Sequence, residues 1–228
     1  MKESTRLKKE QGLIAAAESV FSKMGFKNAR MEVIANEAGI TKVTLYSYFQ
    51  SKDNLIMAIT YKALLQLEKA YQDTLELHKN DSGLDLTLSV MTTFVEFCEQ
   101  NYFYSEIMLE YFSLVRSTSM MQDEGKLTDA MKDSWYHNEV QKLHNYPFKV
   151  TVAAIKKGIA DGSIHPLVDP MMATLNGWMV FLGYVKLLSA SGDSATQIFD
   201  VNIQDMKRFN LKLLKSLLKG EFTYGKKA

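Results

Sequence analysis

The sequence predicts an all-α protein. Apolar residues recur at three- and four-residue steps along almost the whole chain, no segment sustains the alternation of a half-exposed strand, and only three prolines occur in 228 residues. A hydrophobic fraction of 46% beside 23% charged residues belongs to a folded chain and excludes disordered or collagen-like classes. A chain of this length buries a core unaided, and its length allows one domain or two.

The elements follow in order. A first helix is expected over 4–24, with Leu7, Ile14, Ala17 and Phe21 down one face and Gly25 suited to a left-handed end. A short second helix covers 31–38. Gly39 breaks the chain, Thr41 caps a third helix through Tyr48, and Ser51 caps a long fourth helix reaching Leu77. Beyond the polar break at 80–83, helices are expected over 84–101, 104–117, 127–144 and 148–161, with 162–170 as a connector. Asp169 before Pro170 pairs an N-cap with a first-turn proline and opens a helix ending near Gly192. The last helix spans 201–219, where Met206, Phe209, Leu213 and Leu217 follow helical steps and Lys207, Lys212, Lys215 and Lys219 take other faces.

Composition narrows the function classes. The single cysteine, Cys98, has no partner for an internal disulfide and reads as a small buried hydrophobe. The first residues have no basic stretch leading into an apolar run, so a cytoplasmic protein is expected. The most apolar uncharged stretch, 170–185, is shorter than the roughly 20 residues of a bilayer span. The net charge is +1, with nine Lys/Arg against six Asp/Glu in residues 1–55 and eighteen against twenty in the remainder. No Gly-rich phosphate loop, GxSxG, HExxH or Glu-x-x-His pair occurs, so neither an enzyme nor a cofactor is expected.

Residues 31–48 have the spacing of a helix-turn-helix. Ala35 sits where two helices must approach closely, Gly39 follows where the turn needs positive φ, and Leu45 packs back, with Ile34, Ala38, Ile40 and Tyr48 filling the other inward positions. The free face of the third helix then carries Lys42, Val43, Thr44, Tyr46 and Ser47: one cation, hydroxyls and an aromatic, suited to base edges, thymine methyls and phosphate oxygens. Spacing alone leaves open a helix corner that never meets DNA.

The runs GITKVTLYSYFQSKDNL (39–55), IAAAESVFSKMGF (14–26) and VIANEAG (33–39) together resemble the TetR family of bacterial transcriptional regulators. The resemblance covers the first 55 residues. It implies a three-helix DNA-binding domain over 1–55, joined by a long helix to a helical effector-binding and dimerisation domain over 56–228. It implies a repressor released from an inverted-repeat operator by a small molecule. It places Lys42, Thr44, Tyr46 and Tyr48 at or near the DNA, Thr41 as the cap of the recognition helix, and Lys52 against a phosphate; for Tyr48, plain packing is an equal reading. Val43 departs from the family's frequent glycine. Ala29 and Arg30 replace the usual hydroxyl before the second helix, and Asn54 replaces an acidic capping-box residue.

In the remainder, AIKKGIADGSIHPLVDP (154–170) resembles the family's helix, connector and next helix start, and the last two helices are expected to pair across a dyad in a homodimer. The helix from Pro170 is apolar nearly all round, with Ala173, Gly177 and Gly183 permitting close approach of a partner; the alternative is the central helix of a monomer. Phe94, Met108, Phe112, Met131, Trp135, Tyr136 and Trp178 are candidate pocket residues for an apolar or aromatic effector, each with ordinary core as its competing reading. Asp133, His137 and His144 share a helical stripe, but exposed histidines on a polar helix explain them without a metal. The alternative function is a helical protein-protein adaptor whose helix-turn-helix no longer binds DNA.

Overall fold

The computed structural model describes residues 2–119, 134–190 and 201–221, and every regular element among them is a helix. In chain order these are α1 (Lys2–Asn28), α2 (Met31–Glu37), α3 (Lys42–Tyr48), α4 (Lys52–Leu77), α5 (Gly83–Gln100), α6 (Tyr102–Ser119), α7 (Trp135–Leu143), α8 (Tyr146–Ala160), α9 (Pro170–Ala190) and α10 (Ile203–Leu218). None of the described helices is long and apolar enough to cross a membrane.

Local chemistry sets most boundaries where the residues placed them. Gly25, at φ 74°, kinks α1 where an end was expected, and one further turn runs on to Asn28. The Asp169 carboxylate accepts from the Met172 N–H at 2.8 Å and caps α9. One expected helix is corrected: 127–144 is not continuous, because Ser134 is extended and caps a new helix by accepting from the His137 N–H. The portion before Ser134 lies outside the described residues.

The chain packs as two compact units, Met1–Leu65 with Phe103–His144, and Gln66–Tyr102 with Asn145–Ala228. The core of the first is built from Leu13, Ala17, Val20 and Phe21 of α1, Ile34, Leu45 and Phe49 around the helix-turn-helix, and Leu55 to Ile59 of α4. Ile107, Met108 and Tyr111 of α6 and Val140 of α7 are also buried there. Across α1, α4 and α6, Glu18 accepts from Lys62 at 2.8 Å and from the Tyr104 hydroxyl at 3.2 Å.

In the second unit, α5 and α8 cross at two glycines. A Cβ on Gly83 would stand 1.9 Å from the Gly158 nitrogen, so only glycine permits this approach. The start of α5 is held by the Asp161 carboxylate, 2.7 Å from the Gly83 N–H, and by Ser163 Oγ, 3.0 Å from the Leu84 N–H. A polar clasp joins α5, α9 and α10: Glu99 accepts from Lys207 at 2.6 Å and from the Tyr184 hydroxyl. Burial opposes the charge on Glu99, but the bonds from Lys207 and Tyr184 outweigh it and hold its carboxyl below the usual range.

The expectation that Ala173 and Gly177 face a partner is corrected. Both lie on the buried face of α9, where a Cβ on Gly177 would meet the Met91 methyl at 2.6 Å, so the missing side chain serves packing within the chain. Gly183 lies on the opposite, open face.

Candidate nucleic-acid interface

Three buried side chains fix the helix-turn-helix: Ile34 and Ala35 on α2 and Leu45 on α3. Between them Gly39 adopts φ 66°, and the Ile40 N–H reaches back to the Ala35 carbonyl at 3.0 Å, closing α2 and redirecting the chain. Ala38, Ile40 and Tyr48, expected inward, are half-buried. The position before α2 carries no side-chain cap, as the Ala29–Arg30 replacement implies. Asn54 performs half of a capping box, its N–H donating to Ser51 Oγ at 3.2 Å while its own oxygen accepts from that hydroxyl.

Thr41 caps α3 by accepting from the Thr44 N–H at 3.2 Å, and the two threonine hydroxyls are 2.9 Å apart. Ser47 donates to the Thr44 carbonyl at 2.7 Å. These hydroxyls keep acceptor capacity while their rotamers are held, so the helix presents a set surface. That surface is open: Val43 is 80% exposed, Tyr46 40%, and Lys42, Thr44 and Ser47 are exposed beside them. The Lys42 ammonium lies 5.8 Å from the centre of the Tyr46 ring and is paired with the Glu32 carboxylate of α2. That hydrogen bond holds Glu32 below the ordinary carboxylate range and raises Lys42.

Lys52 has a different setting from its neighbours. Its ammonium donates to the Phe26 carbonyl at 2.6 Å and lies 3.4 Å from the carbonyls of Lys27 and Ala29, so it binds the chain end of α1 to the start of α4. Sequence reasoning missed this role, and also missed Glu32, whose partner lies ten residues away across the turn.

Residues 13–59 match the family of bacterial regulatory proteins, tetR family. This stretch is similar to the N-terminal segment of tetR-family regulatory proteins. It is 39% identical over 56 residues to the HTH-type transcriptional regulator RutR of Escherichia coli strain K12, a match spanning 25% of this chain and 26% of that protein. The chain thus matches about a quarter of the length of its curated relatives. Over nearly the whole chain the likeness is one of fold. FadR from Bacillus subtilis in complex with stearoyl-CoA superposes with TM-score 0.63 at 15% identity, covering 91% of this chain and 98% of that one. The ketosteroid transcriptional regulator KstR2 of Mycobacterium tuberculosis gives TM-score 0.64 at 16% identity, covering 92% and 94%. PfmR, a TetR-family transcriptional regulator from Thermus thermophilus, gives 0.59 at 19% identity, covering 89% and 96%.

The candidate effector contacts are divided between the two units. Phe94 and Trp178 are buried in the second unit, their ring centres 4.3 Å apart, and Phe148 stacks on the other side of Trp178 at 4.4 Å. Met108 is buried in the first unit. There also Trp135, 58% exposed, and the half-buried Tyr136 meet Tyr61, and Tyr136 stacks on Phe49 at 6.0 Å. The side chain of Phe112 and the whole of Met131 lie outside the described residues, as does Asp133. Among the described residues no group of His, Cys, Asp and Glu is placed to hold a metal. Burial pushes the Cys98 thiol up to about 12, leaving it an unreactive hydrophobe.

Two polar atoms stand out in the second unit, one on Trp178, a candidate pocket residue, and one on Tyr71, which the sequence did not mark. The Trp178 indole N–H and the Tyr71 hydroxyl are both buried without a hydrogen-bond partner among the described residues. Such groups are rare in folded interiors and cost about 1–3 kcal/mol each.

Proposed function

We propose that the protein is a transcriptional regulator that binds an inverted-repeat operator as a homodimer and is released from it by a small apolar effector. The observation that carries this reading is the face of α3. Lys42, Val43, Thr44, Tyr46 and Ser47 lie open on a helix whose inner side is locked by Leu45 against Ile34 and Ala35, within a segment that matches a DNA-binding family. A helix so held enters a major groove with its side chains already placed, reading base edges while nearby cations meet phosphates. The reading places the protein with the DNA in the cytoplasm. It retains Thr41 as the cap that orients α3, and takes Tyr48 and Lys52 as residues that position the helix.

Dimerisation is supported by the outer faces of the last two helices. Met172, Leu175, Met179 and Val180 of α9 and Phe209 and Leu213 of α10 are exposed, an apolar surface that a free monomer in water does not favour. A two-fold dimer presents two copies of α3 to successive major grooves about 34 Å apart.

For the effector, the second unit supplies Phe94 and Trp178, with the unpartnered Trp178 N–H and Tyr71 hydroxyl as polar handles for an otherwise apolar molecule. Of the proteins that share the fold, FadR is in complex with stearoyl-CoA and KstR2 is a ketosteroid transcriptional regulator, which agrees with an apolar effector here. An effector that favours a conformer unable to span both grooves weakens operator binding, and the operator weakens effector binding by the same factor.

The test is capture of fragmented genomic DNA from the source organism on purified protein, with Tyr46→Ala and Lys42→Ala in parallel. Enrichment of an inverted repeat by the wild type, lost in both variants while helicity and dimerisation persist, is the expected result. Equal retention by the variants overturns the assignment of α3, and no retention by the wild type favours the adaptor.

A further inference from the structure

Glu32 is the second residue of α2 and Lys42 the first of α3, and their side chains meet across the turn with about half of each open to solvent. The pair does not hold the motif together. Exposed ion pairs contribute little to stability, and the angle between α2 and α3 is set by the buried Ile34, Ala35 and Leu45. Yet it puts a carboxylate beside the ammonium that lies over the Tyr46 ring, next to the exposed Val43. Arg30 adds a weaker Coulombic attraction to the same carboxylate. A negative charge amid the cations of a surface built to meet a polyanion needs an explanation other than folding.

The explanation lies in what Lys42 must give up on different DNA sequences. To pair with a phosphate, the ammonium either leaves the Glu32 carboxylate uncompensated in the duplex field or draws it against a second anion. To donate to the O6 and N7 atoms of a guanine it meets neutral acceptors. With three N–H donors it can keep one bond to Glu32 while the others reach the base. Glu32 therefore penalises complexes in which Lys42 serves only as a backbone contact, and spares those in which it reads a base. We propose that Glu32 is a specificity-determining residue, acting through Lys42 to suppress binding to non-operator DNA. The proposal rests on the DNA-binding reading of α3.

A random-sequence duplex is the probe, so no operator is needed. Binding is measured across a salt series for the wild type, Glu32→Gln, Lys42→Ala and the double variant, with circular dichroism to check that each is folded. Glutamine keeps the hydrogen-bonding shape and removes the charge. Glu32→Gln is expected to bind the random duplex severalfold more tightly, with a log–log salt slope steeper by about one unit as Lys42 gains a phosphate. The gain is expected to vanish in the Lys42→Ala background. Unchanged or weaker binding by Glu32→Gln overturns the proposal, as does a gain that persists in full without Lys42, which is simple repulsion. If neither wild type nor Glu32→Gln binds at the lowest salt, the DNA-binding reading fails and the proposal with it. Weak binding by the wild type with an altered-slope gain in Glu32→Gln supports both.

Discussion

Truncating Phe209 is expected to break the dimer without harming the fold of the protomer. The residue is 64% exposed on α10, so it makes only a minor part of its contacts within the chain. A phenylalanine offers roughly 150–250 Å² for burial, which leaves about 130 Å² available to a partner. At about 25 cal/mol/Å², and allowing for the area alanine retains, each copy contributes roughly 2–3 kcal/mol. In an isologous interface the loss is counted twice, about 4–6 kcal/mol, or roughly a 10³–10⁴-fold rise in the dimer dissociation constant. Sedimentation equilibrium over a concentration series measures this directly. Circular dichroism should show unchanged helicity, and operator retention should fall although α3 is untouched. A Phe209→Ala protein that dimerises like the wild type, or a wild type that is monomeric at tens of micromolar, refutes the reasoning.

Three further outcomes follow from the geometry. Gly83→Ala should unfold the second unit or lower its stability severely, because the new methyl meets backbone at 1.9 Å, whereas Gly158→Ala first meets the flexible Ile164 side chain at 2.5 Å and should be milder; thermal melts of the two variants compare them. Glu99 has a folded-state pKa below its unfolded value, so its clasp with Lys207 stabilises fully above the usual carboxylate range, begins to weaken as pH enters that range and is lost as pH falls through the lowered folded-state pKa. Urea unfolding should therefore show Glu99→Gln less stable than wild type at pH about 7, with the difference shrinking towards pH about 4. Lys52→Met removes a cation bound to three backbone carbonyls, so it should lower the melting temperature while leaving the salt slope of DNA binding unchanged; a slope reduced by about one would instead show a phosphate contact.

What was legible in the sequence is what local chemistry decides. Thr41, Ser51 and Asp169 each cap a helix through an N–H three residues on, and Gly39 takes the positive φ that the turn requires, so these positions were readable one by one. The exposed face of α3 was readable for the same reason: a helix of seven residues with Leu45 buried and Tyr48 half-buried leaves the other five outside. The roles that escaped depend on partners distant in the chain. The carbonyls that Lys52 binds lie 23 to 26 residues earlier, so its place between α1 and α4 left no local mark. Gly177 looked like an interface residue because Met91, which fills its space, belongs to another helix. Trp178 and Tyr71 carry no sequence mark of being unpartnered, since satisfaction is a property of the whole interior.

The extent of the body that holds the helix-turn-helix shows the same limit in a form that bears on the proposed function. The motif ends near residue 55 because its signature is local, but the packing that holds α3 does not end there. Phe49, which closes α3, is almost fully buried and stacks on Tyr136 of α7, while Phe26 at the end of α1 meets Phe103 of α6. Glu18 of α1 is satisfied by Lys62 and Tyr104, both beyond residue 55. A fragment of the first 55 residues would leave these rings and this carboxylate without their partners. The attitude of the recognition helix is therefore fixed partly by α6 and α7, and a change in either reaches the ring against which α3 ends.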